Sequence, residues 1–181
     1  MENNFVEIAI QIAVVAHDGQ KRKEQDLPYI SHPVSVALLL AKRGFSDITI
    51  AAALVHDVLE DTNVAEEKLR EELGEEILSI VKSLSENKAL PWEDRKKQYI
   101  EGIRAGSDAV KAVSLGDKIH NIQSMLAAHK KQGAELWKKF NKGKESQIWF
   151  AEEYLSMMKN SWKHPLIEEY EKLVEKMKSL D

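Results

Sequence analysis

Four chemically capable side chains lie within the segment His56-Asp57-Val58-Leu59-Glu60-Asp61: one imidazole and three carboxylates among apolar neighbours. Residues 48–55, just before it, are almost all apolar and predict a buried helix that runs into this acidic segment. Burying carboxylates costs free energy unless a cation or hydrogen bonds compensate them, and a divalent metal is the simplest compensation. Elsewhere in the chain, His32 and Asp117 offer further ligand types for such an ion. The sequence therefore predicts a metal site with these ligands: His32, His56, Asp57 and Asp117.

Helical spacing is the feature that would bring these groups together. Asp57 and Asp61 are four residues apart, as are Asp117 and Asn121 in a later segment, and residues at that interval share a helix face. If the predicted helix that contains His56 ends before Glu60, the turn after it brings these side chains together instead. A histidine beside an aspartate near a helix end is, by itself, more often a capping or ion-pairing arrangement. The metal prediction therefore depends on both acidic segments together.

Composition narrows the classes of protein that the chain can be. It has no cysteine, which excludes disulfides and thiolate ligands and leaves His, Asp and Glu to hold any metal. A formal net charge of -4 does not indicate the basic surface that binding of nucleic acid requires. No apolar run approaches the roughly 18 residues that a membrane span needs, and the first residues lack the pattern of a signal peptide. We expect a cytoplasmic protein with no membrane or nucleic-acid partner.

The apolar periodicity is helical almost everywhere, so we predict an all-α fold with one domain over residues 1–181. Ser31, Asp47 and Ser107 or Asp108 are suited to start helices, and Gly44 and Gly74 to end them. Gly116 interrupts a helical pattern, which indicates close approach of another helix or a ligand. The predicted helices cover about 4–17, 31–43, 47–60, 63–74, 75–84, 91–105, 107–126, 145–160 and 165–179.

Several segments resemble motifs of one enzyme family, and the resemblance extends over about residues 5–160. They are Ala16-His17-Asp18-Gly19-Gln20 with Arg22-Lys23, Tyr29-Ile30-Ser31-His32-Pro33, His56-Asp57-Val58-Leu59-Glu60-Asp61-Thr62, and Leu115-Gly116-Asp117-Lys118-Ile119-His120-Asn121. Together they resemble the HD-domain metal-dependent phosphohydrolases, and more narrowly the RelA/SpoT-type guanosine-3′,5′-bis(diphosphate) 3′-pyrophosphohydrolase domain. The chain departs from that pattern at Gly116, where alanine is expected, and at Leu27, where glycine is common. Neither departure removes a chemical group.

The resemblance implies a reaction and a cofactor. A small alarmone hydrolase would convert ppGpp or pppGpp to GDP or GTP and pyrophosphate, with Mn2+ on the four ligands and without synthetase activity. Glu60 and Asp61 would be the catalytic pair, with Glu60 as the principal base. The substrate contacts that we expect, with Arg95 and Lys96 the weaker guesses for the polyphosphate, are Arg22, Lys23, Lys118, Asn121, Arg95 and Lys96.

Alternatives stay open at this point. Asp61 could instead cap the next helix or pair with a lysine, and each run of basic residues could be a solvated face. Because a fold does not fix a substrate, the same metal could serve hydrolysis of NADPH or a 5′-nucleotide, and a non-catalytic nucleotide-binding module is a further alternative. We read His17 as support for its loop and His120 as structural. The sequence does not decide between a monomer and a homodimer.

Overall fold

The computed structural model describes residues 4–23 and 26–181. Over those ranges the chain forms nine α-helices and one 3₁₀ helix, with no β-strand, which confirms the all-α prediction. Among the residues described, no helix is both long and apolar enough to cross a membrane. The helices are α1 (Phe5–Ala16), α2 (Ser31–Ala41), α3 (Asp47–Val55), α4 (Val58–Asp61), α5 (Glu66–Leu84), α6 (Trp92–Ala105), α7 (Asp108–Gln132), α8 (Gly143–Ser161) and α9 (Leu166–Lys178), with the 3₁₀ helix at Gly133–Lys139.

Helix α7 lies at the centre of the fold and packs against α2, α3, α5, α6 and α9. Eight consecutive residues of this helix, 110–117, are buried, so that it is covered on all sides. A Cβ on Gly116 would lie 3.1 Å from Cγ1 of Val36 on α2. The missing side chain thus allows α2 to approach α7 closely, as the sequence indicated, and this contact brings the start of α2 next to Asp117.

The predicted long third helix is wrong in one respect that matters for the site. Helix α3 ends at Val55, and α4 is a separate single turn that begins at Val58. Between them, Asp57 has φ -95° and ψ -5°, away from regular helical values. The carboxylates therefore converge through a turn, which was the alternative that the spacing left open.

Most other boundaries differ from the sequence prediction by a residue or two, but α5 begins three residues later and α7 ends six residues later than predicted. Ser46, one residue before Asp47, is the N-cap of α3, and its side chain accepts a hydrogen bond from the backbone N–H of Thr49. Ser31 is the first residue of α2 and not its cap, since its hydroxyl donates to the carbonyl of Pro28. The expected break at Gly74 is present as a kink inside α5, where φ is 83°. The sequence analysis did not predict the 3₁₀ helix at Gly133–Lys139.

Candidate metal centre and active site

The four predicted metal ligands meet where α2, the α3–α4 turn and α7 come together. Nε2 of His32 lies 3.0 Å from Oδ1 of Asp117 and 3.6 Å from Oδ2 of Asp57. Nε2 of His56 lies 3.1 Å from the same Asp57 oxygen and 3.9 Å from the same Asp117 oxygen. Atoms of His32, His56 and Asp57 lie within 4.8 Å of one another, as a shared ion requires. The structure thus brings together residues up to 85 positions apart in the sequence.

His56 provides the test of whether a metal fits this cluster. Its Nδ1–H donates to the carbonyl of Ala53 at 2.8 Å, which leaves the lone pair of Nε2 directed at the carboxylates. That Nε2 is buried and makes no hydrogen bond. A buried imidazole nitrogen without a hydrogen-bond partner, facing two carboxylates, is the donor arrangement that a divalent cation completes. The residues present therefore fit a divalent metal.

His120 orients His32 from behind. The two Nδ1 atoms are 2.7 Å apart, so that one ring must donate a proton to the other. Burial, together with the neighbouring His32 and Arg22, lowers the pKa of His120 to about 4, and the ring is therefore neutral near pH 7. When a metal binds Nε2 of His32, the proton of that ring lies on Nδ1, and the neutral His120 accepts it and orients the ring. The sequence indicated that His120 is structural, and its contact with His32 fits that interpretation.

The buried charges of the cluster stabilise one another. Burial alone lowers the pKa of His56, but the carboxylates of Asp57 and Asp117 outweigh it and hold that pKa well above its ordinary value. Burial alone raises the pKa of Asp57, but His56 outweighs it and lowers that pKa below the ordinary range. For Asp117 the same burial is outweighed by Lys118 and the two histidines. In the absence of a cation, a proton on His56 provides the positive charge that these carboxylates need.

Three polar contacts hold the ligand carboxylates in place. Tyr29 donates its hydroxyl to Oδ2 of Asp57 at 2.6 Å. Asn121 donates its side-chain amide to Oδ1 of Asp117 at 2.5 Å, and the Lys118 ammonium lies 2.7 Å from the other oxygen. Asp117, Lys118 and Asn121 all lie on α7, so the helix itself places the two partners beside this carboxylate.

Glu60 and Asp61 lie on the single-turn helix α4, beside the cluster of predicted metal ligands. Oε2 of Glu60 accepts a hydrogen bond from the backbone N–H of Glu86 at 3.2 Å. The ammonium of Lys88 lies 2.8 Å from Oδ1 of Asp61 and 3.4 Å from Oε1 of Glu60. Burial raises the pKa of Glu60, although the hydrogen bond from the Glu86 backbone and the charge of Lys88 oppose the increase. Asp61 does not cap α5, whose N-cap is Ala65, but it does pair with a lysine, as one alternative predicted.

One cavity of about 720 Å³ connects these groups. His56 is buried and does not line it. Arg95, Lys96 and Arg22 are half-buried in its wall, whereas Lys97 is exposed and outside the lining. The two runs of basic residues are therefore only partly exposed to solvent. The predicted site residues that do line the cavity are Arg22, Lys23, His32, Asp57, Glu60, Asp61, Arg95, Lys96, Asp117, Lys118 and Asn121.

Sequence reasoning gave no site role to Tyr29, Glu86 or Lys88, which the structure places in contact with predicted site residues. The Glu86 carboxylate is 2.8 Å from Nε of Arg95 and 2.5 Å from Nζ of Lys96, and thereby holds both cations at the cavity wall. Glu86 and Lys88 lie in the connection between α5 and α6. They are the two charged residues of that connection, and no local pattern distinguishes them from solvated side chains.

The all-α fold and this cluster of histidines and aspartates form a site that fits a divalent metal, and the chain is similar to known proteins. Residues 9–142 match the HD domain family. The chain belongs to this family, which confirms the resemblance found in its motifs.

The chain is also similar to individual proteins in sequence or in structure. The chain is 35% identical over 120 residues to a guanosine-3′,5′-bis(diphosphate) 3′-pyrophosphohydrolase of Xenopus tropicalis, an alignment covering 65% of this chain and 67% of that protein. A crystal structure of a Listeria monocytogenes protein superposes with a TM-score of 0.75 at 33% identity, over 81% of this chain and 97% of the other. A metazoan SpoT ortholog described as hydrolysing ppGpp superposes with a TM-score of 0.80, over 97% and 96% of the two chains. At 22% identity, that last match supports the fold alone.

Proposed function

We propose that this protein hydrolyses the 3′-pyrophosphate ester of guanosine 3′,5′-bis(diphosphate), and releases GDP and pyrophosphate. With pppGpp as substrate the nucleoside product would be GTP. The observation that carries the proposal is a cavity with a histidine–aspartate metal cluster at its base, cations in its wall and two further carboxylates at its side. The relative from Xenopus tropicalis, whose name states this reaction, supports the choice of substrate.

The metal in this proposal is Mn2+, held by His32, His56, Asp57 and Asp117. Two imidazoles and two carboxylates are a nitrogen and oxygen donor set that suits a borderline to hard divalent ion. When bound, such an ion lowers the pKa of coordinated water and draws charge from a phosphoryl oxygen.

Glu60 and Asp61 are the residues to which we assign proton transfer. The water oxygen forms a new bond to the phosphorus atom attached to the ribose 3′-oxygen, and the bond between that phosphorus and the 3′-oxygen breaks. Glu60, whose pKa is raised by burial, accepts the proton of the attacking water. Asp61 is its partner and handles the proton that the leaving 3′-oxygen needs. The water oxygen thus ends on pyrophosphate, and one proton ends on the 3′-oxygen, which leaves with the nucleotide as its hydroxyl.

The cations of the cavity wall are assigned to the substrate. Arg22 lies with its guanidinium 5.6 Å from the centre of the Tyr29 ring and donates to the Asn121 side chain at 2.8 Å. A planar guanidinium in this position can stack on guanine, with Lys23 near the phosphates. Lys118 and Asn121 would line the same pocket, and Arg95 and Lys96 would contact the polyphosphate.

Pyrophosphate release from ppGpp by the purified protein, with Mn2+ and after chelation, tests the proposal. We expect metal-dependent release of pyrophosphate together with GDP. Release of orthophosphate would instead favour another phosphohydrolase activity, and NADPH and 5′-nucleotides would be the next substrates to test. No turnover of any phosphoester by Mn2+-loaded protein would favour a nucleotide-binding module.

Four further features belong to the proposal. We infer a single domain, because α7 contacts helices from both halves of the chain. We infer the cytoplasm as its location, since the proposed substrate is a free nucleotide. A net charge of -4 supports the absence of a nucleic-acid partner, and no membrane partner is proposed. Size-exclusion chromatography with light scattering would distinguish a monomer from a homodimer.

A further inference from the structure

Helix α4, which carries Glu60 and Asp61, is only four residues long. Isolated helices of this length are unstable, because nucleation fixes several residues for very few hydrogen bonds. The last carbonyls of a helix also lack partners within it. The position of this helix must therefore be determined by contacts from outside it.

Side chains from two other segments provide those contacts. The ammonium of Lys88 donates to the carbonyl oxygen of Glu60 at 2.9 Å and to Oδ1 of Asp61 at 2.8 Å. On the other side, the side-chain amide of Gln20 donates to the carbonyl oxygen of Asp61 at 2.9 Å. Lys88 contacts a backbone carbonyl and both carboxylates of α4, whereas Gln20 contacts a backbone carbonyl.

We propose that Lys88 is a positioning residue that holds Glu60 and Asp61 in their catalytic arrangement. This inference rests on the proposed function, because it assumes that the two carboxylates transfer protons. A cation at the end of a helix is favourable for its terminal carbonyls, and one ammonium that bridges three oxygen atoms fixes the carboxylates relative to the backbone. Lys88 approaches α4 from the connection between α5 and α6, the same connection whose Glu86 backbone N–H binds Glu60.

If Lys88 were only a solvated surface side chain, its removal would not change turnover. The Lys88 side chain is 53% exposed, and an exposed ion pair contributes little to folding stability. Its removal should therefore leave the melting temperature nearly unchanged. A loss of turnover under those conditions cannot come from unfolding.

The experiment compares Lys88→Met with the matched control Lys82→Met. Lys82 forms an ion pair of 2.7 Å with Glu66 and is 49% exposed, but it lies on α5 and pairs with Glu66, whereas Lys88 contacts Glu60 and Asp61. For Lys88→Met we expect kcat on ppGpp to fall roughly ten- to a hundredfold, as for misplaced catalytic groups, with KM and Mn2+ affinity nearly unchanged. Lys88→Arg, which keeps the charge, should restore part of kcat.

Hydrogen exchange of the full-length protein gives a second readout that does not depend on activity. Amides of residues 58–62 should exchange faster in Lys88→Met than in the wild type and in Lys82→Met. Unchanged exchange, or an unchanged kcat in an active protein, would overturn the inference. Failure of the proposed function is recognised separately, because the wild-type protein would then release no pyrophosphate from ppGpp.

Discussion

The Nδ1 atoms of His32 and His120 lie 2.7 Å apart, so that a histidine outside the set of predicted metal ligands is hydrogen-bonded to one inside it. Partners of this kind commonly contribute a factor of about 10–100 to metal affinity. We predict that His120→Leu weakens Mn2+ binding by roughly that factor, while kcat at saturating Mn2+ changes little. Isothermal titration calorimetry measures the affinity. His129→Leu is the control, because His129 contacts the C-terminal Asp181 and not the cluster.

If His120→Leu bound Mn2+ as tightly as the wild type, the contact between the two rings would have no role in holding the metal.

Glu60→Gln should abolish detectable turnover of ppGpp and leave Mn2+ binding intact. The amide keeps the size of the side chain and can still accept the hydrogen bond from Glu86, but it cannot take a proton from water. Steady-state pyrophosphate release and calorimetry with Mn2+ measure the two properties. Activity near that of the wild type would show that Glu60 is not the base.

Arg22→Met should raise KM for ppGpp more than it lowers kcat. Its guanidinium lies at the cavity wall against Tyr29 and Asn121, in a position to bind substrate in the ground state and in the transition state alike. Arg70→Met is the matched control, since Arg70 pairs with exposed Glu75 on α5 and does not line the cavity. A loss confined to kcat would identify Arg22 as part of the catalytic machinery.

Stabilisation by Mn2+ should increase with pH. The folded-state pKa of His56 is raised above its ordinary value, so the stability due to its proton is present below about pH 6.5 and is lost as pH rises through the raised pKa. Mn2+ competes with that proton for Nε2. The increase in Tm on adding Mn2+ should therefore be larger at about pH 8 than at about pH 6.

Thermal scans with and without Mn2+ at both pH values check this, with Asp117→Asn as a variant in which the increase should shrink. An increase in Tm that is larger at the lower pH would contradict the assignment of His56 as a ligand.

Two glycines should respond oppositely to alanine. Gly102 is exposed in the last turn of α6, and a Cβ there meets nothing within 4 Å, so Gly102→Ala should stabilise the fold by about 0.5–1 kcal/mol. Gly74 also has space, but its φ of 83° is strained for alanine, and Gly74→Ala should destabilise by about 1 kcal/mol. Denaturant unfolding measures both. Equal effects of the two substitutions would show that φ at Gly74 does not control stability.

The sequence by itself determined the class of fold and the four proposed ligands. Helical periodicity is a local signal, because it follows from side chains three and four residues apart. The ligands could be recognised because acidic and imidazole groups stood in segments that were otherwise apolar, where burial demands compensation. Gly116 was likewise recognisable as a point of close approach, and α2 packs against it.

Only the tertiary structure decided how α4 and the cavity wall are held. The break after Val55 separates α4 from α3, although the apolar pattern continues across it. Glu86 and Lys88 reach Glu60 across 26 and 28 residues of sequence. Contacts at that separation depend on how α5 and α6 pack, and periodicity contains no information on them. The chain therefore specifies its reactive groups locally, while long-range packing sets their positions.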